Sequence, residues 1–198
     1  MAVTAQQVKE LRDRTGAGMM DCKRALEETG GDLEGAIDLL RTRGAAKAAK
    51  REGKSANEGG IGVYVHHNGK VGVMVELRCE TDFVANTEDF RTLARDLAMH
   101  IASSAPVAVS SDDVPTAEVE RERTVYLEQV KAEGKPEHIR PRIVEGKLKK
   151  WFTEVALLEQ PFVKDPDKTI DQLVTEVSAR TGEKIEVARF SRFEVGVD

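Results

Sequence analysis

Ile61-Gly62-Val63-Tyr64-Val65-His66-His67-Asn68-Gly69-Lys70-Val71-Gly72-Val73-Met74-Val75-Glu76-Leu77, the stretch IGVYVHHNGKVGVMVEL, decides the fold class. On both sides of a polar middle, β-branched residues alternate with small or polar ones. That period-of-two pattern belongs to half-buried strands, and Asn68-Gly69 is the turn between them. Two registers compete. A two-residue turn on Asn68-Gly69 sets Val63 opposite Met74 and Val65 opposite Gly72, with Val73 on the other face. A three-residue loop of His67, Asn68 and Gly69 sets Val65 opposite Val71, Val63 opposite Val73 and Ile61 opposite Val75. Because a one-residue slip exposes a whole apolar set, the second register is expected. It is a type I turn with a bulge and with Gly69 in the left-handed region.

Immediately after the hairpin comes Cys79-Glu80-Thr81-Asp82-Phe83-Val84-Ala85-Asn86, CETDFVAN, which places an aromatic beside an acid in a connection. A helix is predicted from Thr87, with Phe90, Leu93, Ala94, Leu97, Ala98 and Ile101 on one stripe, closed by Pro106. Thr116 caps a charged helix to about Ala132 with a thin seam of Val119, Tyr126 and Val130. Pro136 leads into Ile139 and Ile143, and Leu148, Trp151, Phe152 and Val155 form another stripe after Gly146. Residues 157–166, with two prolines, read as loop. Thr169 and Gln172 form a capping box before Ile170, Leu173, Val174 and Val177. Residues 184–195 alternate as a third strand, in which Phe190 breaks the period. The core is therefore α+β, a small antiparallel sheet packed with helices on one face.

Upstream, residues 4–43 read as three short helices. Thr4 and Gln7 make a capping box, Gly16-Ala17-Gly18 breaks the first helix, Gly30 ends the second and Asp32 caps the third. Leu33, Ala36, Ile37 and Leu40 give the third its apolar face. Met19 and Met20 are adjacent and cannot both enter one small core; each serves either as gap-filler or as an adaptable contact. After Arg41 a basic run of Arg41, Arg43, Lys47, Lys50, Arg51 and Lys54 continues the helix to about Arg51 and then becomes a Gly/Ser/Asn linker. The expected division is a head with its basic tether over 1–54 and an α+β core over 55–198.

Composition narrows the function. Hydrophobic residues make up 40% and charged residues 33% of 198, with Lys+Arg 30 against Asp+Glu 35. A net charge of -5 argues against stable nucleic-acid binding, which needs a basic footprint. No apolar run is long enough for a membrane helix and no secretory signal is seen, so a cytoplasmic protein is expected. Cys22 and Cys79 read as free thiols. His66 and His67 are consecutive in a strand and point to opposite faces, His100 reads as a structural or surface histidine, and no metal site is expected. Nothing orients a Cys79–His66 nucleophile, and no GxxxxGK[ST] phosphate loop occurs. The residues therefore point to no cofactor and no catalytic group. They point instead to an interaction module whose exposed apolar groups are Met19, Met20, Phe83 and the Phe162-Val163 pair.

Several blocks carry a resemblance. Lys9-Glu10-Leu11-Arg12 followed by residues 15–23, TGAGMMDCK, is similar to the N-terminal signature of bacterial elongation factor Ts, and CETDFVAN resembles that family's core motif. Residues 97–102 (LAMHIA), 146–150 (GKLKK), 158–163 (LEQPFV) and 192–196 (RFEVG) resemble it in the same order. The resemblance implies a guanine-nucleotide exchange factor for elongation factor Tu, not an enzyme in the chemical sense, with a ubiquitin-associated-like helical head. Being too short for two core subdomains and an inserted coiled coil, the chain looks like the short form, expected to work as a homodimer. The resemblance carries Thr81, Asp82, Phe83 and Val84 onto the motif that disturbs the partner's Mg²⁺ and nucleotide site. It carries Arg12, Met19, Met20 and Lys23 onto the head's contact with the GTPase domain. Phe162, Val163 and Lys164 fall on a later contact with a β-barrel domain. A ubiquitin-like-fold binding adaptor without exchange activity is the alternative; a thiol or metal hydrolase built on Cys79 and the histidines is the third.

Overall fold

A computed structural model describes residues 3–197 and contains an α+β fold. Its helices are α1 (Ala5–Thr15), α2 (Met19–Glu28), α3 (Leu33–Ala49), α4 (Asp82–Ala85), α5 (Glu88–Ser104), α6 (Thr116–Ala132), α7 (Arg140–Val155) and α8 (Ile170–Thr181). Its strands are β1 (Glu58–Val65), β2 (Val71–Cys79), β3 (Pro161–Phe162), β4 (Asp165–Thr169) and β5 (Ile185–Glu194). The chain groups into two compact units, one of residues up to Gly59 with Arg78–Arg91 and Val174–Glu186, the other of Gly60–Leu77, Thr92–Leu173 and Val187 onward.

In the first unit, α1, α2 and α3 close around Val8, Leu11, Cys22, Ala25, Leu26 and Ala36, with Leu33, Ile37 and Leu40 packed on them. The predicted caps form at both ends of α1. Gln7 N–H donates to Thr4 Oγ1 at 3.3 Å and Thr4 N–H to Gln7 Oε1 at 3.0 Å, while Gly16 takes a φ of 67° and returns its N–H to the Arg12 carbonyl at 2.7 Å. Asp32 stands at the N-cap of α3, but its side chain makes no capping bond. The small core leaves this bundle little stability of its own, so contacts made by α3 and its continuation elsewhere in the unit matter.

The second unit is built on the sheet, in the order β1-β2-β5. Val195 N–H donates to the Lys70 carbonyl at 2.9 Å, so β5 ends where β2 begins and runs antiparallel to it. The hairpin register differs from expectation. Gly69 does take the left-handed conformation, with φ 67°, and its N–H closes a turn on the His66 carbonyl at 2.8 Å. However, His66 N–H donates to the Val71 carbonyl at 2.9 Å. Continuing that pairing sets Val63 opposite Met74 and Gly62 opposite Val75. Val73, Val75 and Leu77 are buried, whereas Ile61, Val63 and Val65 are each more than half exposed.

The reason lies in Gly62. A Cβ built on it would sit 2.3 Å from the Ala94 carbonyl oxygen of α5 and 3.0 Å from Val75 Cγ1. The helix backbone approaches the sheet too closely there for any side chain. The glycine therefore faces inward, and the β-branched set must face outward. Apolar alternation gave the right strands, but the inner face of β1 was the glycine one.

Elsewhere the helical stripes hold. Phe90, Leu93, Ala94, Leu97, Ala98 and Ile101 are all buried on α5. Val130, Val144 and Leu148 make a satellite core between α6 and α7, with Tyr126 and Trp151 against it. Pro115, not Thr116, takes the N-cap position of α6, and α7 runs through Gly146 without a break. The segment expected as loop contains a 3-10 turn at Leu157–Glu159 and the β3–β4 ribbon. The Thr169–Gln172 capping box is present, with bonds of 3.1 and 3.2 Å.

Candidate functional site

CETDFVAN forms the end of β2, one turn of helix (α4) and the lead into α5. Thr81 caps the turn, its Oγ1 accepting Val84 N–H at 3.4 Å. Helical spacing then separates neighbours: Val84 is buried while Phe83 is 81% exposed. Asp82 is exposed beside it, its carbonyl accepting Asn86 N–H at 3.1 Å and the Asn86 side-chain amide at 2.9 Å. Thr87 continues the brace, its hydroxyl donating to the Val84 carbonyl at 2.7 Å and accepting Phe90 N–H at 3.3 Å. The phenyl ring thus stands in solvent on a turn braced by the Thr81, Asn86 and Thr87 side chains.

The thiol beside it is not a nucleophile in waiting. Cys79 is buried, its Sγ donates to the Thr81 carbonyl at 3.1 Å, and desolvation with the nearby Glu183 carboxylate pushes its pKa up. A reactive cysteine needs the opposite environment. His66 pairs its Nδ1 with the Tyr64 hydroxyl at 2.9 Å. Among the described residues, no group of three or more His, Cys, Asp and Glu side chains is placed to hold a metal.

On the head, Met19 and Met20 are both exposed, at 59% and 61%, at the start of α2. Their open alternatives close in favour of solvent exposure for both: Cys22, Ala25 and Leu26 supply the buried face, leaving the first turn outside. Arg12 and Lys23 are also exposed, and Lys23 lies 3.7 Å from Glu27 one turn on.

The Phe162-Val163 pair is only half as expected. Phe162 is 5% exposed, with its ring tilted at 50° against His100, centroids 6.1 Å apart. Val163, in the turn that follows β3, is exposed instead, and Lys164 Nζ reaches Asp96 at 2.7 Å. The exposure expected of Phe162 is therefore corrected: it is an anchor of the β3 strand. His100 completes that anchor. Val163 N–H donates to its Nδ1 at 3.3 Å, so its Nε2–H donates to Gln160 Oε1 at 2.9 Å. The Gln160 amide in turn donates to the Glu154 carbonyl at 2.7 Å. Burial pushes the His100 pKa down, keeping the imidazole neutral. This buried couple joins the block of residues 97–102 to that of residues 158–163.

Three apolar displays therefore stand out among the described residues: Phe83 on a braced turn, the methionine pair on α2, and the outer sheet face. That face carries Ile61, Val63, Val65 and Met74 with Phe193 and Val195. Exposed apolar displays of this kind are the surface feature by which protein-binding factors are recognised. The family model of "Elongation factor TS" matches residues 37–197. Curated proteins called elongation factor Ts are similar over nearly the whole chain. The one from Desulfitobacterium hafniense is 56% identical, covering 98% of this chain and 89% of its own. The one from Acetivibrio thermocellus is 55% identical, covering 98% and 90%. The one from Nitratidesulfovibrio vulgaris is 52% identical, covering 100% and 99%. The chain belongs to the elongation factor Ts family.

Proposed function

We propose that the protein is a guanine-nucleotide exchange factor of translation elongation, acting in the cytoplasm on the GDP form of elongation factor Tu. The observation that carries the mechanism is Phe83, exposed at 81% on a turn that is capped, braced and free of any core to fill. A GTPase holds GDP through backbone N–H groups around the phosphates and through Mg²⁺. A phenyl ring wedged behind that loop shifts it, loosening both contacts, and Asp82 beside it competes for local hydrogen bonds or disturbs the metal's water shell. Thr81 and Val84 hold the turn from either side. No bond is made or broken in the process. Factor and nucleotide bind with negative coupling, and reciprocity makes incoming GTP expel the factor.

The remaining displays divide the docking. Arg12, Met19, Met20 and Lys23 grip the GTPase domain through the head, which with its tether occupies 1–54. Val163 and Lys164, set by the buried Phe162, reach a second domain of the partner from the 55–198 core. The outer sheet face suits a second copy of the chain, giving a homodimer. Ile61, Val63, Val65, Met74 and Phe193 leave apolar surface exposed for such a pairing, and the ion pair across this face, Arg189–Glu76 at 2.7 Å, is closed within one chain.

Phe83→Ala tests the wedge. The variant keeps its melting temperature, because the ring touches no core, and still binds elongation factor Tu through the head. Its stimulation of GDP release falls by about 30-fold, the effect of losing a contact worth roughly 2 kcal/mol in the exchange transition state. Undiminished stimulation would remove the wedge.

A further inference from the structure

The turn that carries Phe83 is held from residues about a hundred positions away. Glu183 accepts the Thr81 backbone N–H at 3.0 Å on one carboxylate oxygen and the Thr81 hydroxyl at 2.6 Å on the other. A hydroxyl donating to a carboxylate is a stronger acceptor, and this same Oγ1 accepts the Val84 N–H that caps α4. The next residue reciprocates: Lys184 N–H donates to Glu80 Oε1 at 2.7 Å. Arg51 Nη1 lies 2.9 Å from both Glu80 oxygens. Arg51 lies two residues beyond Ala49, the last residue of α3, so the clasp reaches the end of that head helix directly. Head, clasp and Phe83 turn all fall in one compact unit.

A four-residue helix cannot hold its own geometry, because nucleation costs more than so few bonds return. A wedge on such a turn pushes only as hard as its mount resists. The two carboxylates supply that resistance with charge-assisted bonds, the stronger kind. The interactions of Lys184 N–H and Arg51 also hold the Glu80 carboxyl below its ordinary pKa. We infer that Glu183 and Arg51 are positioning residues for exchange: Glu183 fixes the pose of the Phe83 turn, and Arg51 ties that turn to the head. Arg51 then acts as a strut inside the protein and not as a nucleic-acid contact of a loose basic tether. The inference rests on the exchange reading above.

The test is release of fluorescent GDP from elongation factor Tu over a concentration series of the full chain, giving a half-saturating concentration and a maximal rate. Wild type, Phe83→Ala, Glu183→Ala, Glu183→Gln, Arg51→Ala and Arg51→Lys are compared, with melting temperatures alongside. Glu183→Ala is expected to keep the half-saturating concentration within about threefold, since the head still docks, and to lose about tenfold in maximal rate, the scale of a charged hydrogen bond removed. Glu183→Gln, which retains volume and one acceptor, falls between, and it carries the test should the alanine variant not fold. Arg51→Ala lowers the maximal rate and Arg51→Lys restores part of it. Loss of rate in Phe83→Ala with full rate in both Glu183 variants would overturn the inference and leave the exchange reading standing. A change in half-saturation alone would also overturn it, since that is a docking effect. No stimulation by wild type would overturn both.

Discussion

Gly62→Ala is the substitution that tests the observed register of the sheet. The added Cβ would lie 2.3 Å from the Ala94 carbonyl oxygen, more than 1 Å inside ordinary van der Waals contact, which begins near 3.4 Å. That oxygen belongs to the backbone of α5, a helix pinned by Phe90, Leu93, Leu97 and Ile101 in the core, so it cannot rotate away as a side chain would. Either α5 lifts from the sheet or β1 does, and overpacking of this kind costs about 2–4 kcal/mol. For a chain of this size that is a fall of roughly 5–15 °C in melting temperature. Gly72→Ala is the matched control, because a Cβ there meets nothing within 4 Å. Thermal unfolding followed by circular dichroism reads both. In the register with Val63 opposite Val73, Gly62 would face outward and its alanine would be harmless. A melting temperature for Gly62→Ala within a degree or so of the Gly72→Ala value would refute the close approach and the pairing built on it.

Other predictions follow from single contacts. Val63→Glu combined with Phe193→Asp should leave circular dichroism unchanged while light scattering moves from twice the chain mass to the chain mass; a wild type that is already monomeric would refute the dimer face. His100 is buried neutral with its folded pKa below the ordinary 6.5. The unfolded chain therefore takes a proton there first, and stability falls as pH drops through 6.5, levelling only below the folded pKa. Urea midpoints between about pH 8 and 5 should show this loss in wild type and not in His100→Gln, the difference cancelling carboxylates common to both, and parallel curves would refute it. Cys79→Ser should keep GDP release within about twofold and lose only about 1 kcal/mol of stability, since the hydroxyl can still donate to the Thr81 carbonyl; abolished release in a folded variant would revive a thiol mechanism.

Much of the fold was legible because its signals are local. Thr4 with Gln7, Gly16, Gly69 and Thr169 with Gln172 announce caps and turns within a few residues. The α5 stripe from Phe90 to Ile101 follows the helical period alone. The hairpin misled because periodicity says which residues share a face and not which face is inside. That choice was made by the Ala94 carbonyl, about thirty residues away, and the signal for it was the glycine at position 62 read as an approach of backbone instead of a gap. Phe162 misled in the same way: its burial depends on His100 and Gln160, which no local pattern connects. At the candidate site, Phe83 was legible as an aromatic without a stripe, and Met19-Met20 as a pair too close to share one core. The clasp was not, because Glu183 sits in an ordinary turn after α8 and Arg51 in an ordinary basic run. Only folding sets them against Thr81 and Glu80.

The proposed activity of this chain is to speed nucleotide release from elongation factor Tu. Stopped-flow fluorescence of labelled GDP leaving the purified GTPase, with unlabelled GDP in excess and rising amounts of the full chain, measures it directly. The release rate should climb with chain concentration to a plateau far above the spontaneous rate. A rate that stays at the spontaneous value at every concentration would contradict it.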